Sequence, residues 1–291
     1  MVALGLLIAL SVALTLRHVI LTGDFTVTPF DWAQFEMATQ RIGTGALYDW
    51  EFRENFEYSY RYSPLFAYVM VPFVALGITV WRFLQFAALL LLPWRVALLA
   101  LLAWPFWEDV YSANVMTFAF VAGWLAINGN RWGTMAYLLI AALVPRPLML
   151  PLVVWILWKR PWARVPAAIG LVGYSVLTFA SGDAVSFLEA LGRGGNMIEF
   201  ERNYGFSRWF GWAWLLVGIP LAGWLVWKGR IGFASLAVSP YLLPYHFIVV
   251  LWEMARTRDK PTISLLRTAL ADLTGRVRPL PTNPRSGRSA P

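Results

Sequence analysis

The chain has 291 residues, 59% of them apolar and only 14% charged, where soluble proteins are about half apolar and a quarter charged. That apolar surplus exceeds what one soluble interior can hold, which excludes a soluble enzyme, a disulfide scaffold or a disordered polypeptide as descriptions of the whole chain. There is no cysteine and there are two histidines, so thiolate chemistry is impossible, and neither a metal centre nor another cofactor is expected; the formal charge is +8.

Val2–Leu21 is a near-continuous apolar run, about 30 Å long as a helix, and is predicted to be a membrane span. It carries no basic leader and no small-residue cleavage site, so it reads as an anchor rather than a removed signal. Thr22–Tyr62 holds seven acids against three arginines and is the predicted first extracytoplasmic loop, with an amphipathic piece over Asp31–Ile42 and a Gly43-Thr44-Gly45 breaker. Pro64–Gly77 and Val80–Trp104 read as spans, the second kinked at Pro93. Glu108–Ser112 is predicted as a short loop before a span over Asn114–Asn128.

Two later segments share a design. Gly133–Trp158 is interrupted by Pro145-Arg146-Pro147, and Ile231–Met254 is interrupted between Ser239 and Pro244. Between them lie a span over Val165–Ala180, a second extracytoplasmic loop over Ser181–Arg208 and a span over Trp209–Trp227. Residues 256–291 carry eight Lys/Arg against two Asp/Glu. No nucleic-acid-binding fold precedes this tail, so it is expected to be disordered, cytoplasmic and drawn to anionic lipid, with no nucleic acid as partner.

Positive charge sets the orientation. Arg131, Lys159, Arg160, Arg164, Lys228, Arg230 and the tail belong on the cytoplasmic side, the two acidic or polar loops on the other. These placements agree when each interrupted segment is a hairpin of two short helices turning near the midplane; the alternative is one full-width helix kinked by proline. Either way Arg146 and His246 sit at breaks inside apolar segments, where an ionisable side chain is costly and marks a functional hypothesis. The fold expected is an all-α polytopic transmembrane bundle over residues 1–255, with roughly eight to ten membrane helices and both termini cytoplasmic.

No P-loop, dinucleotide fingerprint, metalloprotease motif or nucleophile elbow occurs. The acids are the informative feature. Asp24 follows the first span directly, at the water–lipid boundary where a lipid-linked head group would lie, and partial desolvation there raises a carboxylate towards the range of a general base. Asp31, seven residues on and beside Trp32, is the rival base.

The segments Asp24-Phe25-Thr26-Val27, Gly43-Thr44-Gly45-Ala46-Leu47-Tyr48-Asp49 and Tyr60-Arg61-Tyr62-Ser63-Pro64-Leu65, in that order, resemble the opening of the bacterial polyprenol-phosphate-mannose-dependent alpha-1,2-mannosyltransferases. These belong to the GT-C class of multispanning glycosyltransferases. Ser112-Ala113-Asn114-Val115, Pro145-Arg146-Pro147-Leu148, Asn203-Tyr204-Gly205-Phe206-Ser207 and Ser239-Pro240 to Tyr245-His246 are similar to later motifs of that family, in degenerate form. Arg146 stands where the family has lysine, and no second histidine or tryptophan accompanies His246.

The resemblance implies a multi-pass protein of the bacterial plasma membrane. It implies inverting transfer of mannose or a related hexose from a polyprenol-phosphate donor to an extracytoplasmic glycolipid, glycan or protein, with Asp24 as base. The leaving phosphate needs cationic or donor groups within reach. Arg146 suits that role through its fork of donors, with Arg61 and His246 as further candidates. Tyr48, Tyr60, Tyr62, Asn114 and Asn203 are expected at the substrate, and Trp32 and Trp50 are further aromatic candidates in the first loop. Trp81, Trp94, Trp107, Trp158, Trp209 and Trp227 fall near span ends, as interfacial belts place them, and Glu199 and Glu201 read as solvated. Two other classes fit the composition: a transporter or flippase with a midplane site, and a non-catalytic protein of the same shape.

Overall fold

The structure is a computed structural model. It describes residues 29–49, 60–192 and 203–254 in full, and 51–53 and 56–58 by their backbone. The predicted first span Val2–Leu21, Asp24, Trp50, Glu199, Glu201 and the tail 256–291 lie outside the described residues.

The first helix, α1 (Phe30–Arg41), follows Pro29 and buries Trp32, Phe35, Met37 and Ala38, the apolar side of the amphipathic piece. The chain then turns at Gly43 and Gly45, both at positive φ, where a side chain would be strained. Among the described residues the only strands are β1 (Glu51–Arg53) and β2 (Phe56–Tyr58), an antiparallel hairpin with Glu51 opposite Tyr58.

The sequence of α2 (Pro64–Leu76) contains its own start signal. The Ser63 hydroxyl accepts from Leu65 N–H at 3.2 Å and Pro64 occupies the first turn, where its missing N–H costs nothing. Gly77, at φ 86°, then breaks the chain so sharply that α3 (Ile78–Leu89) is bent 107° from α2. The expected span Val80–Trp104 is not one kinked helix. It ends at Leu89, restarts after Pro93 as α4 (Trp94–Leu102), and gives way to α5 (Trp104–Ser112), which absorbs the residues expected to form a loop. Pro93 and Pro105 act as starters rather than kinks, and local pattern alone does not separate the two effects.

The helix α6 (Met116–Ile127) falls where a span is expected. At 12 residues it is roughly 18 Å long, too short to cross, and it is buried on nearly every side. It is the core helix, packed by α3, by α7 (Arg131–Leu143) and by the closing 3₁₀ helix Pro244–Met254. The first proline break appears where expected: α7 stops at Leu143, a 3₁₀ turn covers Pro147–Met149, and α8 (Leu150–Lys159) follows.

α9 (Arg164–Ala180) continues a 3₁₀ turn from Pro161, and α10 (Ala184–Gly192) adds a short amphipathic helix inside the expected loop, burying Ala184, Phe187 and Ala190. α11 (Ser207–Phe210) runs through a 3₁₀ turn into α12 (Trp214–Trp227). The second break then separates α13 (Ile231–Val238) from Pro244–Met254. Pro161–Ala180 and Ser207–Trp227 are long and apolar enough to cross a membrane, and the bent α2–α3 pair is a third candidate. Side chains such as Ile169, Val172, Leu216 and Val217 on the two long helices face outward, an arrangement compatible with a helical membrane protein.

The two interrupted segments meet: α13 packs on α8, on the Pro147–Met149 turn and on Pro244–Met254. Within the second segment, glycine permits the close approach of α13 to Pro244–Met254, because a Cβ on Gly232 would lie 2.4 Å from the Val249 carbonyl oxygen. Gly232→Ala should therefore destabilise the protein by about 1–3 kcal/mol. Gly223→Ala, on the open side of α12, should leave stability unchanged or slightly raised. Thermal unfolding of the two variants in one detergent checks the contrast.

Candidate functional site

Five side chains from five parts of the chain form one hydrogen-bonded line. Asp31 lies in the first turn of α1, Tyr62 just before α2, Asn114 at the α5–α6 junction, and Arg146 and His246 at the two helix breaks. Asn114 Nδ2 donates to Asp31 Oδ2 at 2.6 Å and approaches the Tyr62 hydroxyl at 3.4 Å. Arg146 Nη2 donates to that same hydroxyl at 2.9 Å, and Arg146 Nη1 lies 3.0 Å from His246 Nε2. The Arg146 guanidinium also sits 5.5 Å from the ring centres of both Tyr62 and Tyr245, where two aromatic faces help to hold a cation in an apolar setting.

The breaks explain the geometry. A helix interrupted by proline leaves backbone groups unpaired and frees the intervening residues from the helix path. In the second break, Leu243 N–H donates to His246 Nδ1 at 3.1 Å. A backbone amide and a guanidinium both only donate, so the ring accepts at Nδ1 from Leu243 or at Nε2 from Arg146, and the tautomer decides which. With Nε2 as acceptor the Arg146–His246 contact is a hydrogen bond, and the guanidinium still carries further N–H groups from which an anionic oxygen could accept. The Tyr62 oxygen already receives Arg146 and Asn114, so its own hydrogen is available to a third group.

The negative end differs in character. Asp31 is half-buried, and Oδ1 has no hydrogen-bond partner among the described residues. Burial pushes its carboxyl above the usual carboxylate range, against the pull of Arg146, the Asn114 hydrogen bond and Arg61. Asp31 and Arg146 are thus within each other's field without forming an ion pair, held apart by Asn114 and Tyr62. Burial likewise raises the Tyr62 phenol, which stays protonated at neutral pH. A carboxylate that can take a proton and a set of donors that can receive negative charge occupy opposite ends of one line.

Other expected site residues are placed differently. Arg61 lies close enough to Asp31 to favour its charge. Tyr48 and Tyr60 are buried rather than presented to a substrate: their hydroxyls donate to the Tyr62 carbonyl at 2.8 Å and the Ser63 carbonyl at 3.0 Å, and they brace Tyr62 from behind. Trp32 is buried too, and its indole donates to Glu36 at 2.7 Å. Asn203 fastens the second break, its Oδ1 accepting from Leu242 N–H at 2.9 Å and Gly205 N–H at 2.8 Å. In each case the aromatic or amide signal is correct about polarity but silent about which way the side chain turns.

Sequence reading misses Gln85, Asp109 and Tyr245. Asp109 is expected in a solvated loop, yet it is fully buried. It caps α6 from the preceding helix: Oδ1 accepts from Met116 N–H, and Oδ2 accepts from the backbone N–H and hydroxyl of Thr117. Burial pushes its carboxyl up to about 6, although those hydrogen bonds pull the other way. An acid seven and eight residues before a helix's first N–H groups is the available signal.

Among the described residues no group of three or more His, Asp or Glu is arranged to hold a metal ion. Two cavities lie away from the line. One, of about 130 Å³, is bounded by Asn128, Trp155, Arg230 and Glu253; the other is an apolar groove of about 460 Å³ between α3 and α4. No protein-family model, curated protein or solved structure matches the chain.

Proposed function

We propose that this protein is a membrane glycosyltransferase of the GT-C kind, moving mannose or a related hexose from a polyprenol-phosphate carrier to an extracytoplasmic glycolipid, glycan or protein. The observation that carries the reading is the line from Asp31 to His246, which couples a half-buried base to a cluster of phosphate-competent donors. In this reading Asp31 takes the base role first considered for Asp24, because Asp31 is the acid joined to the donors. Asp31 Oδ1 removes the acceptor hydroxyl's proton as that oxygen attacks the anomeric carbon from the face opposite the phosphate. The carbon–oxygen bond to phosphate breaks, its electron pair stays on the phosphate oxygen, and Arg146, held by His246, and the Tyr62 hydroxyl receive the developing charge. The configuration at the anomeric carbon inverts.

Two elements of the reading come from charge and composition, a multi-pass arrangement with both termini cytoplasmic and a first loop, including α1, that faces outward, while the bacterial plasma membrane comes from the resemblance alone. The side-by-side helix breaks also favour a second reading, transport of a polar solute through a midplane site. One experiment separates them. Proteoliposomes holding the full chain are given radiolabelled polyprenol-phosphate-hexose and a hydroxyl acceptor, and in parallel are tested for counterflow. Label on the acceptor supports transfer; counterflow without transfer of any polyprenol-phosphate hexose overturns it.

The pH profile follows from the sign of the Asp31 shift. A general base works ionised, and burial keeps Asp31 protonated to higher pH than an ordinary carboxylate. The acid limb of kcat/KM should therefore lie above the usual carboxylate range. Arg61→Gln removes a positive neighbour that favours the ionised form, so the limb should move to still higher pH. A limb that stays in place in Arg61→Gln removes Arg61 from the site.

A further inference from the structure

Among the described residues Asn114 is the hydrogen-bonded link from Asp31 to the rest of the line, and its backbone is held with unusual thoroughness. Ala113, immediately before it, sits at φ 53°, the one described non-glycine residue in the left-handed region. A residue with a Cβ persists there only when its surroundings over-determine it. Those surroundings are specific. Asn114 N–H donates to the Asp109 carbonyl at 3.0 Å. The Asn114 carbonyl accepts from Gln85 Nε2 at 2.9 Å and from the Trp81 indole at 3.3 Å. Gln85 Nε2 also donates to Asp109 Oδ2 at 3.0 Å, so one amide ties Asp109 to Asn114. The Asn114 side chain is then oriented by its own Oδ1, which accepts from Val115 N–H at 2.7 Å and leaves Nδ2 to Asp31.

We propose that Gln85 and Asp109 are positioning residues of this site: through the backbone of Asn114 they fix the direction of the hydrogen bond to Asp31, and so the orientation of the base. This inference rests on the transfer reading for its kinetic consequence but not for its geometry. Helix capping alone accounts for the Met116 and Thr117 contacts of Asp109. It does not account for a buried glutamine on α3 that directs its donors to Asp109 and to the carbonyl next to a left-handed alanine, with Gln85 Oε1 left unpartnered. Placing that amide in a buried site carries a cost that simple packing by leucine would avoid. Arg146 also acts on Asp109 through its field.

The test uses the full chain in detergent with 5-fluorotryptophan, the Trp81 resonance being assigned from Trp81→Phe. Asp31→Asn should shift the Trp81 resonance in the wild-type background. The same substitution in Gln85→Leu should shift it by a clearly different amount, because the Asn114 carbonyl that Trp81 also reaches is no longer held by Gln85. An equal shift in both backgrounds, or none in either, overturns the proposal. In the transfer assay, folded Gln85→Leu and Asp109→Asn should each lose about tenfold or more in kcat with donor KM little changed. A kcat per folded molecule equal to wild type also overturns it. If the wild-type protein transfers no sugar, the functional reading fails alone, and the resonance experiment still decides the clamp.

Discussion

Asp31→Asn is expected to lower sugar transfer by about 10²- to 10⁴-fold, the range by which a positioned general base accelerates proton removal. The substitution is nearly isosteric, and the carbonyl oxygen of the introduced amide can still accept from Asn114 Nδ2, which reaches the Asp31 carboxylate at 2.6 Å. The fold should therefore survive, with the thermal midpoint changed little or raised, because a carboxyl partly stripped of water is replaced by a neutral amide. The loss should fall on kcat and leave donor KM close to wild type, because the interaction matters where the proton moves. Asp24→Asn is the companion. If Asp24 variants lose transfer and Asp31→Asn does not, the base assignment moves back to Asp24.

Arg146→Gln has the second largest expected effect, a fall in kcat/KM of about 10²- to 10³-fold, comparable to removing one preorganised donor from a developing oxyanion. Its guanidinium reaches Tyr62 and His246 with two different nitrogens, and no shorter amide spans both. Arg146→Lys is the sharper comparison, since it keeps the charge. A single ammonium cannot reproduce the fork that addresses the hydroxyl and the imidazole together, so lysine should recover only part of the loss. Full recovery by lysine would reduce Arg146 to a point charge and remove the bidentate cradle from the mechanism. Binding of unlabelled polyprenol phosphate should weaken in parallel, which separates failure to hold the phosphate from failure of the chemistry.

The mechanism ties these effects to a physical arrangement that disfavours a simple ion pair. In the proposed mechanism a direct Asp31–Arg146 salt bridge would consume both the base and the phosphate site. Tyr62 and Asn114 keep them apart while leaving them in each other's field. Tyr48 and Tyr60 contribute by bracing the Tyr62 and Ser63 carbonyls respectively, so truncating either should act through stability more than through substrate affinity.

Much of the local structure is legible in the residue order. The amphipathic spacing of Asp31–Ile42, the two proline-rich interruptions and the apolar character of Val165–Ala180 and Trp209–Trp227 are local patterns, and the structure places breaks and helices there. Arg146 and His246 stand out for the same local reason, an ionisable group in an apolar run. The sequence also determines by itself that the chain carries more apolar surface than one soluble core can hide. What it leaves open is every question whose answer depends on a distant partner. Pro93 and Pro105 start helices instead of kinking one because of what packs around them. Met116–Ile127 is a core helix because other elements cover it. Asp109, in a polar stretch of sequence, is buried because α6 needs its carboxylate. Arg146 and His246 are 100 residues apart, and only the packing of α13 against α8 brings them to 3.0 Å. Periodicity reports the environment averaged along one helix, whereas a site is a meeting of side chains from several, and that meeting is decided by tertiary contacts no local pattern encodes.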